Sequence, residues 1–391
     1  MLKFYIFSFF LFFPSLVFSL SLDETASLIL TRGTTIKADS LELVSLKESL
    51  STTHNLPDFQ LDGEFLAAPE GESDRWGTEL SWGLEWPGVY GARKNEADKR
   101  WLAARQNIMS RRAAKLTDIK NLLLDYIYCT KKLTTLEELK INNDSINKFA
   151  ETAAKAGEIT LIDLNKVKLE TANVRAAIDA TVNERLETVD ALAEICGFNC
   201  AEIVEKLDAE FPDIVIPDEA YITRLKKNAP QIKEALAEKE IAMSSKKVAL
   251  MEALPNISLG YKHAFEDGIH FNGATLGISI PIFSSHNKQK AGRAAIEEAE
   301  YKVEATEAST SDAVDLILKR LVIMKKQIEE VKPVIEESNH SELLVRAYEK
   351  GLISMIDYLT ERNYFTSATL EFLSLQLSAA KSLISLNRFI D

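Results

Sequence analysis

The chain has little of what interrupts regular structure: only 10 Pro and 15 Gly in 391 residues. That shortage excludes collagen-like and low-complexity chains and favours long regular elements over many short ones. Cysteine is scarce too. Cys129, Cys196 and Cys200 are too few for a disulfide-dense scaffold or a four-cysteine zinc site. Positive charge is in deficit, with 46 Lys plus Arg against 59 Asp plus Glu and a net charge of -13. A broad surface for nucleic-acid phosphates is therefore not expected. Beyond the first segment, no stretch reaches the roughly 18 uninterrupted apolar residues of a membrane helix. The motifs HExxH, GxGxxG and GxxxxGK[ST] are absent. The five histidines are His54, His263, His270, His286 and His340, and none pair at ligand spacing on one element. His263 and His270 invite the idea of a metal relay but read as ordinary surface residues. No constellation for chemistry emerges, so neither an enzyme, a cofactor nor a metal site is expected.

What is present begins with an export signal. Residues 1–19 read MLKFYIFSFFLFFPSLVFS, with one early cation, an apolar run and a small residue at the cut. Cleavage is expected after Ser19, with Val17 at the minus-three position. No cysteine follows for lipid attachment.

The remainder reads as two copies of one unit. Leu56-Pro57-Asp58-Phe59 resembles Leu254-Pro255-Asn256-Ile257 at an offset of 198. Trp86-Pro87 resembles Ile280-Pro281 at 194, and Gly157–Asp163 resembles Gly351–Asp357, again at 194. A constant offset from Pro87 to Asp163 is what long helices of fixed length require. The first repeat is expected over residues 20–215, with a strand pair at 57–86, a helical hairpin at 88–195 and a connector. The second spans 216–391, with a strand pair at 255–283 and a helical hairpin at 287–390.

Each strand pair alternates with period two. Phe59, Leu61, Phe65 and Ala67 share one face; Trp76, Leu80, Trp82, Leu84 and Trp86 share another. In the second copy Ile257, Leu259, Tyr261 and Phe265 alternate with polar residues, as do Ala274, Leu276, Ile278 and Ile280. Asp267-Gly268 marks a hairpin turn between them. Periodicity leaves two readings open: a soluble sheet with one buried face, or a transmembrane barrel with aromatic residues at its interfaces. Four strands do not close a channel, so a barrel would be shared between chains.

The helices are long. From about Gly88 to Ala156 there is no proline, and the run is rich in strong helix formers. About 65 residues at 1.5 Å each span roughly 100 Å, more than a globular domain needs. In the second copy Ile317, Leu321, Met324, Ile328, Val331 and Ile335 form a coiled-coil seam. Pro333, whose counterpart is Leu139, should kink or restart that helix. Gly157 and Gly351 end the long helices, and Thr160 and Ser354 are N-caps of the returning ones, Leu161–Glu194 and Met355–Ile390. Residues 196–230 read as a connector with short helices, and 232–253 as a helix whose counterpart is 36–55. The Cys196–Cys200 spacing suits a small disulfide, Gly197 fits a helix C-cap, and Cys129 is left for a helix seam.

This arrangement resembles the TolC family of outer-membrane efflux proteins over essentially the whole mature chain. The most specific pieces are Leu254-Pro255-Asn256-Ile257-Ser258-Leu259 and Gly277-Ile278-Ser279-Ile280-Pro281-Ile282-Phe283, with Ala291 opening the long helix. Glu85-Trp86-Pro87-Gly88-Val89-Tyr90-Gly91-Ala92-Arg93 resembles the CzcC-like, divalent-cation-efflux branch. The resemblance implies a mainly α fold with a β-barrel part. A homotrimer would build a 12-stranded outer-membrane barrel, four strands per chain, continued by a periplasmic α-helical coiled-coil tunnel. It implies a passive exit duct for small substrates such as drugs or metal cations. A periplasmic adaptor, an inner-membrane pump and outer-membrane lipid are the implied partners, with no nucleic acid. A type I protein secretion duct shares the architecture, and a soluble periplasmic coiled-coil scaffold is the alternative of another class. Matched onto the family, the periplasmic tunnel entrance falls at Gly157, Asp163, Tyr348, Gly351 and Asp357. The barrel-to-helix transition falls at Trp86, Pro87, Gly88, Pro281 and Phe283. Ile353 stands where some members carry a gate arginine, and Thr360 where a second acid can occur, which leaves a salt-bridged lock in doubt. Without the repeat position, the two aspartates would read as ordinary acids at helix starts.

Overall fold

The computed structural model describes residues 19–281, 284–337 and 341–389. The expected signal segment up to Phe18, and Phe283 of the expected transition, lie outside the described residues. In chain order the elements are α1 (Leu22–Arg32), α2 (Thr34–Ser51), β1 (Gln60–Leu66), β2 (Arg75–Leu84), α3 (Pro87–Ala156) and α4 (Leu161–Cys196). They continue with α5 (Ala201–Val204), α6 (Glu219–Asn228), α7 (Pro230–Met251), β3 (Asn256–Glu266) and β4 (Ile269–Ser279). The chain ends with α8 (Ser284–Glu337), α9 (Ser341–Glu349) and α10 (Met355–Asn387). The order strand pair, long helix, returning helix thus occurs twice. Among the described residues no helix is long and apolar enough to cross a membrane, which leaves the strands unjudged.

The chain forms two compact units, and each draws on both halves of the sequence. One comprises the residues up to Thr34, Asp118–Ile214 and Ile323–Ile384. The other comprises Thr35–Thr117, Val215–Val322 and the residues from Ser385 on.

The first unit is helical. Ile119, Leu123, Leu124 and Ile127 of α3 are fully buried, three and four residues apart, as a helix facing other helices requires. On α4 the buried positions are Val167, Thr171, Val174, Thr181, Thr188, Leu192 and Cys196. Most follow a seven-residue step, the signature of a helix seam. Three of them are threonines, which remain compatible with burial because each hydroxyl donates to the carbonyl one turn back: Thr171 to Val167, Thr181 to Ala177 and Thr188 to Glu184, at 2.8–2.9 Å. Residue Leu20 pairs with Leu207 in a parallel bridge. Its N–H donates to the Lys206 carbonyl at 2.8 Å, and its carbonyl accepts from the Asp208 N–H at 2.9 Å. The three cysteines are buried, and no disulfide joins Cys196 to Cys200. Gly197 caps α4 in the left-handed conformation, φ 74°.

The second unit holds the sheet, α2, α6, α7 and parts of α3 and α8. Leu225, Val314 and Leu386 form a buried cluster of α6, α8 and the chain's last helix turn, and Lys226 bonds Asp315 at 2.6 Å beside it. The strands pair antiparallel in the order β1-β2-β3-β4. Asp267 and Gly268 both have positive φ, 51° and 74°, as a two-residue hairpin turn requires.

The restart expected at Pro333 comes one turn beyond it: α8 contains the proline and ends at Glu337, and α9 begins at Ser341. The proline removes a backbone donor and crowds the carbonyl four residues back, which favours ending the helix soon after. The equivalent Leu139 lies inside the unbroken 70-residue α3. The seam on α8 also fades along its length: Leu321 is fully buried and Val331 is exposed.

Candidate functional site

Three places carry the expected functional residues: the helical tips, the strand-to-helix junctions and the sheet.

The tips are built by one local motif used twice. Gly157 and Gly351 have φ of 78° and 69°, a conformation that costs glycine little. At the first tip the Gly157 N–H donates to the Ala154 carbonyl at 3.1 Å and the Glu158 N–H to the Ala153 carbonyl at 2.9 Å. At the second the Gly351 N–H donates to Tyr348 and the Leu352 N–H to Ala347, both at 2.9 Å. These are paired Schellman closures. The returning helices start alike. The Thr160 hydroxyl accepts from the Asp163 N–H at 3.1 Å and donates to the Asp163 carboxylate at 2.7 Å. The Ser354 hydroxyl accepts from the Asp357 N–H at 3.1 Å and donates to Asp357 Oδ2 at 2.7 Å. Both aspartates therefore hold their own helix starts, and one carboxylate oxygen of each is engaged there.

Behind the tips, Ile146, Ala150, Val167, Met355, Tyr358 and Leu359 form a buried core. Ile353 packs against it, where the resemblance allowed a gate arginine. An open groove of about 900 Å³ lies alongside, lined by Phe149, Ile159, Val345 and Tyr348 among others. The Tyr348 ring meets Phe149 edge-on and Tyr358 tilted, each at 5.7 Å between centroids. Burial pushes the Tyr348 and Tyr358 phenols above their ordinary pKa. Phe149 and Tyr358 escaped the sequence reading because neither lies in the repeated tip segment's matched positions. One helical turn from Ile146 and Tyr358 respectively, the Asn143 amide and Arg362 Nε are buried and find no hydrogen-bond partner among the described residues.

At the junctions, Pro87 opens α3 and the Val89 N–H donates to the Trp86 carbonyl at 2.8 Å. A Cβ at Gly88 would sit 3.1 Å from Met251 Sδ, a tight contact that the methionine would have to relieve by shifting. Pro281 follows the end of β4. The structure adds an ionic chain across these connections. Arg93 Nη2 donates to Glu85 Oε1 at 2.9 Å and to Glu252 Oε1 at 2.8 Å. Lys288 Nζ donates to Glu252 Oε2 at 2.8 Å. Burial works against charge on both Arg93 and Glu252. The opposing charges outweigh it, raising the Arg93 pKa and holding the Glu252 carboxyl below its usual range. The connection leaving β2, the connection entering β3 and the first turns of α3 and α8 are thereby tied together. Only Glu85 and Arg93 fall in a segment the sequence singled out.

The sheet has two unlike faces. Cross-strand rows on one face read Leu84–Ile257–Ile278, Trp82–Leu259–Leu276 and Leu61–Leu80–Tyr261–Ala274, and end at Phe65–Trp76–Phe265–His270. Among the described residues nothing covers this face: Leu61 is 75 % exposed and Leu276 71 %. Of the two readings left open by periodicity, the one with this face buried within the chain is not what the structure holds. The other face carries Gln60, Asp62, Glu64, Glu79, Ser81, Lys262 and Thr275 with five glycines. β1 and β4 each leave one edge unpaired.

Solved structures share this architecture. A membrane protein from Pseudomonas aeruginosa aligns with a TM-score of 0.80 at 15 % identity, over 94 % of this chain and 89 % of its own. The chain has the fold of that membrane protein. The CmeC outer membrane channel of Campylobacter jejuni aligns with a TM-score of 0.78 at 15 % identity, over 94 % of this chain and 85 % of its own. The open-state MtrE outer membrane channel of Neisseria gonorrhoeae gives 0.74 at 16 %, over 94 % and 88 %. No protein-family model and no curated protein sequence matches the chain. The channel fold expected from the TolC resemblance is thus the fold found, at an identity too low for sequence comparison to register.

Proposed function

We propose that this chain is an outer-membrane exit duct of a tripartite efflux system. The observation that carries the reading is the sheet. Its strands of up to 11 residues match a membrane span. One face is apolar and uncovered, the other polar, and both edges are open. In water such a face and such edges are a liability. In lipid they are what a barrel shared between chains requires, because every backbone group must find a partner. Three chains with four strands each would close a 12-stranded barrel, apolar rows outward and the glycine-rich polar face around the lumen. The helical hairpins would continue it into the periplasm. Gly157, Asp163, Tyr348, Gly351 and Asp357 would stand at the entrance, near the surfaces offered to a periplasmic adaptor and an inner-membrane pump. The internal repeat would supply two hairpins per chain, six around the tunnel. The duct is passive and has no chemistry of its own. On the Glu85–Arg93 segment we place it with the divalent-cation-efflux branch, with small drugs as the competing cargo class.

Fractionation tests the reading. The mature protein should require detergent for extraction, and reconstitution should give conductance steps in planar bilayers. Recovery in the soluble periplasmic fraction would overturn the duct and favour a coiled-coil scaffold.

A further inference from the structure

His263 on β3 and His270 on β4 lie diagonally on the apolar face, one row apart, next to the Asp267-Gly268 turn. The His263 Nδ1 stands 2.7 Å from Asn272 Oδ1, and the Tyr261 hydroxyl donates to the same oxygen at 2.9 Å. An amide oxygen only accepts, so His263 Nδ1 carries the proton and Nε2 of the neutral ring keeps its lone pair. That Nε2 faces His270 Nδ1 at 3.4 Å. The separation is long for a hydrogen bond, whose N–H donors normally lie within about 3.2 Å of the acceptor. It equals the edge of a tetrahedral metal site, where two imidazole nitrogens about 2.0–2.1 Å from the ion stand about 3.3–3.4 Å apart. The rings are held in place: His263 lies 5.3 Å from Trp76 and His270 4.8 Å from Phe265, between ring centroids.

We propose that His263 Nε2 and His270 Nδ1 form a two-point site for a borderline divalent transition cation such as Zn²⁺ or Cu²⁺. Asn272 acts behind it, fixing the His263 tautomer as carboxylates and carbonyls do for metal-bound histidines. Imidazole donors select these ions over Mg²⁺ and Ca²⁺, which take oxygen ligands. Among the described residues no third His, Cys, Asp or Glu converges on the pair. Solvent therefore completes the coordination, and the ion stays exchangeable. The site depends on the hairpin alone and not on the duct reading.

The experiment is a Cu²⁺ titration of the full-length mature chain, without a histidine tag, in detergent. Electron paramagnetic resonance reads nitrogen coordination. One Cu²⁺ per chain with two-nitrogen hyperfine structure is expected. His270→Gln and His263→Gln should each weaken binding at least tenfold, and Asn272→Ala by 10–100-fold with both nitrogens retained. Circular dichroism should be unchanged in all three. Stoichiometric binding absent from the unaltered chain, or binding unaffected by His270→Gln, would overturn the site.

Discussion

Arg93, in the first turns of α3, reaches Glu252 at the end of α7 across 159 residues of sequence, at 2.8 Å. One guanidinium thereby joins the connection leaving β2 to the connection entering β3, and Glu252 passes the link to Lys288. Both side chains are about three-quarters shielded from solvent, at 24 % and 23 % exposure, so the pair is screened less than a surface bridge. Glu252→Gln is expected to lower stability by about 1–2 kcal/mol, since it leaves Arg93 with a weaker partner. Arg93→Lys should not restore it, because a single ammonium cannot fork between Glu85 and Glu252 in the same way. Chemical denaturation in detergent measures both. A Glu252→Gln chain as stable as the parent would remove the junction role.

The same carboxyl sets an acid response. Its folded pKa lies below the ordinary 4.5. The contribution is therefore fully present above that value and is lost as pH falls through the lower, folded one. Thermal midpoints of the parent should fall more steeply than those of Glu252→Gln as pH drops below 4.5. Parallel curves would contradict the assignment.

At the tips, Gly351→Ala places a Cβ on a residue with φ of 69°. It should cost about 1–2 kcal/mol. Gly157→Ala should cost the same, because the motif is the same. The neighbourhood of neither glycine is crowded, so the penalty is conformational rather than steric. Unfolding midpoints shifted for one glycine only would argue against equivalent tips.

Asn143 is 1 % exposed, and neither end of its amide has a partner among the described residues. Asn143→Leu should stabilise the chain by about 1–2 kcal/mol, as an unsatisfied buried amide gives way to an apolar group of similar volume. Destabilisation on this substitution would mean that the amide is bonded in the assembled protein.

Asp357→Asn separates charge from capping. The backbone N–H at 357 still donates to Ser354 Oγ, and an asparagine Oδ1 still accepts from the Ser354 hydroxyl, so the closure should survive and the helix content stay unchanged. If a ring of these carboxylates favours cations at the duct entrance, cation over anion selectivity in bilayer recordings should fall. Unchanged selectivity would leave Asp357 as a cap alone.

The sequence by itself determined the elements. Period-two rows, proline-free helices, the Asp267-Gly268 turn and the tip glycines are local patterns, and local backbone chemistry alone realises them. The constant 194-residue offset even carried one tip onto the other. A diagonal contact between His263 and His270 was also within reach, since a two-residue turn at 267–268 dictates that Phe265 faces His270. What only the tertiary structure decided is where separate elements meet. The Glu85–Arg93–Glu252–Lys288 chain joins residues with no shared pattern, and the Phe149–Tyr348–Tyr358 contact brings three helices together. Whether the apolar strand face is covered was likewise undecidable from alternation, because period two is identical for a buried and a lipid-facing row. The strand pattern reports only that the two faces differ; the packing of the other described residues leaves the apolar one uncovered.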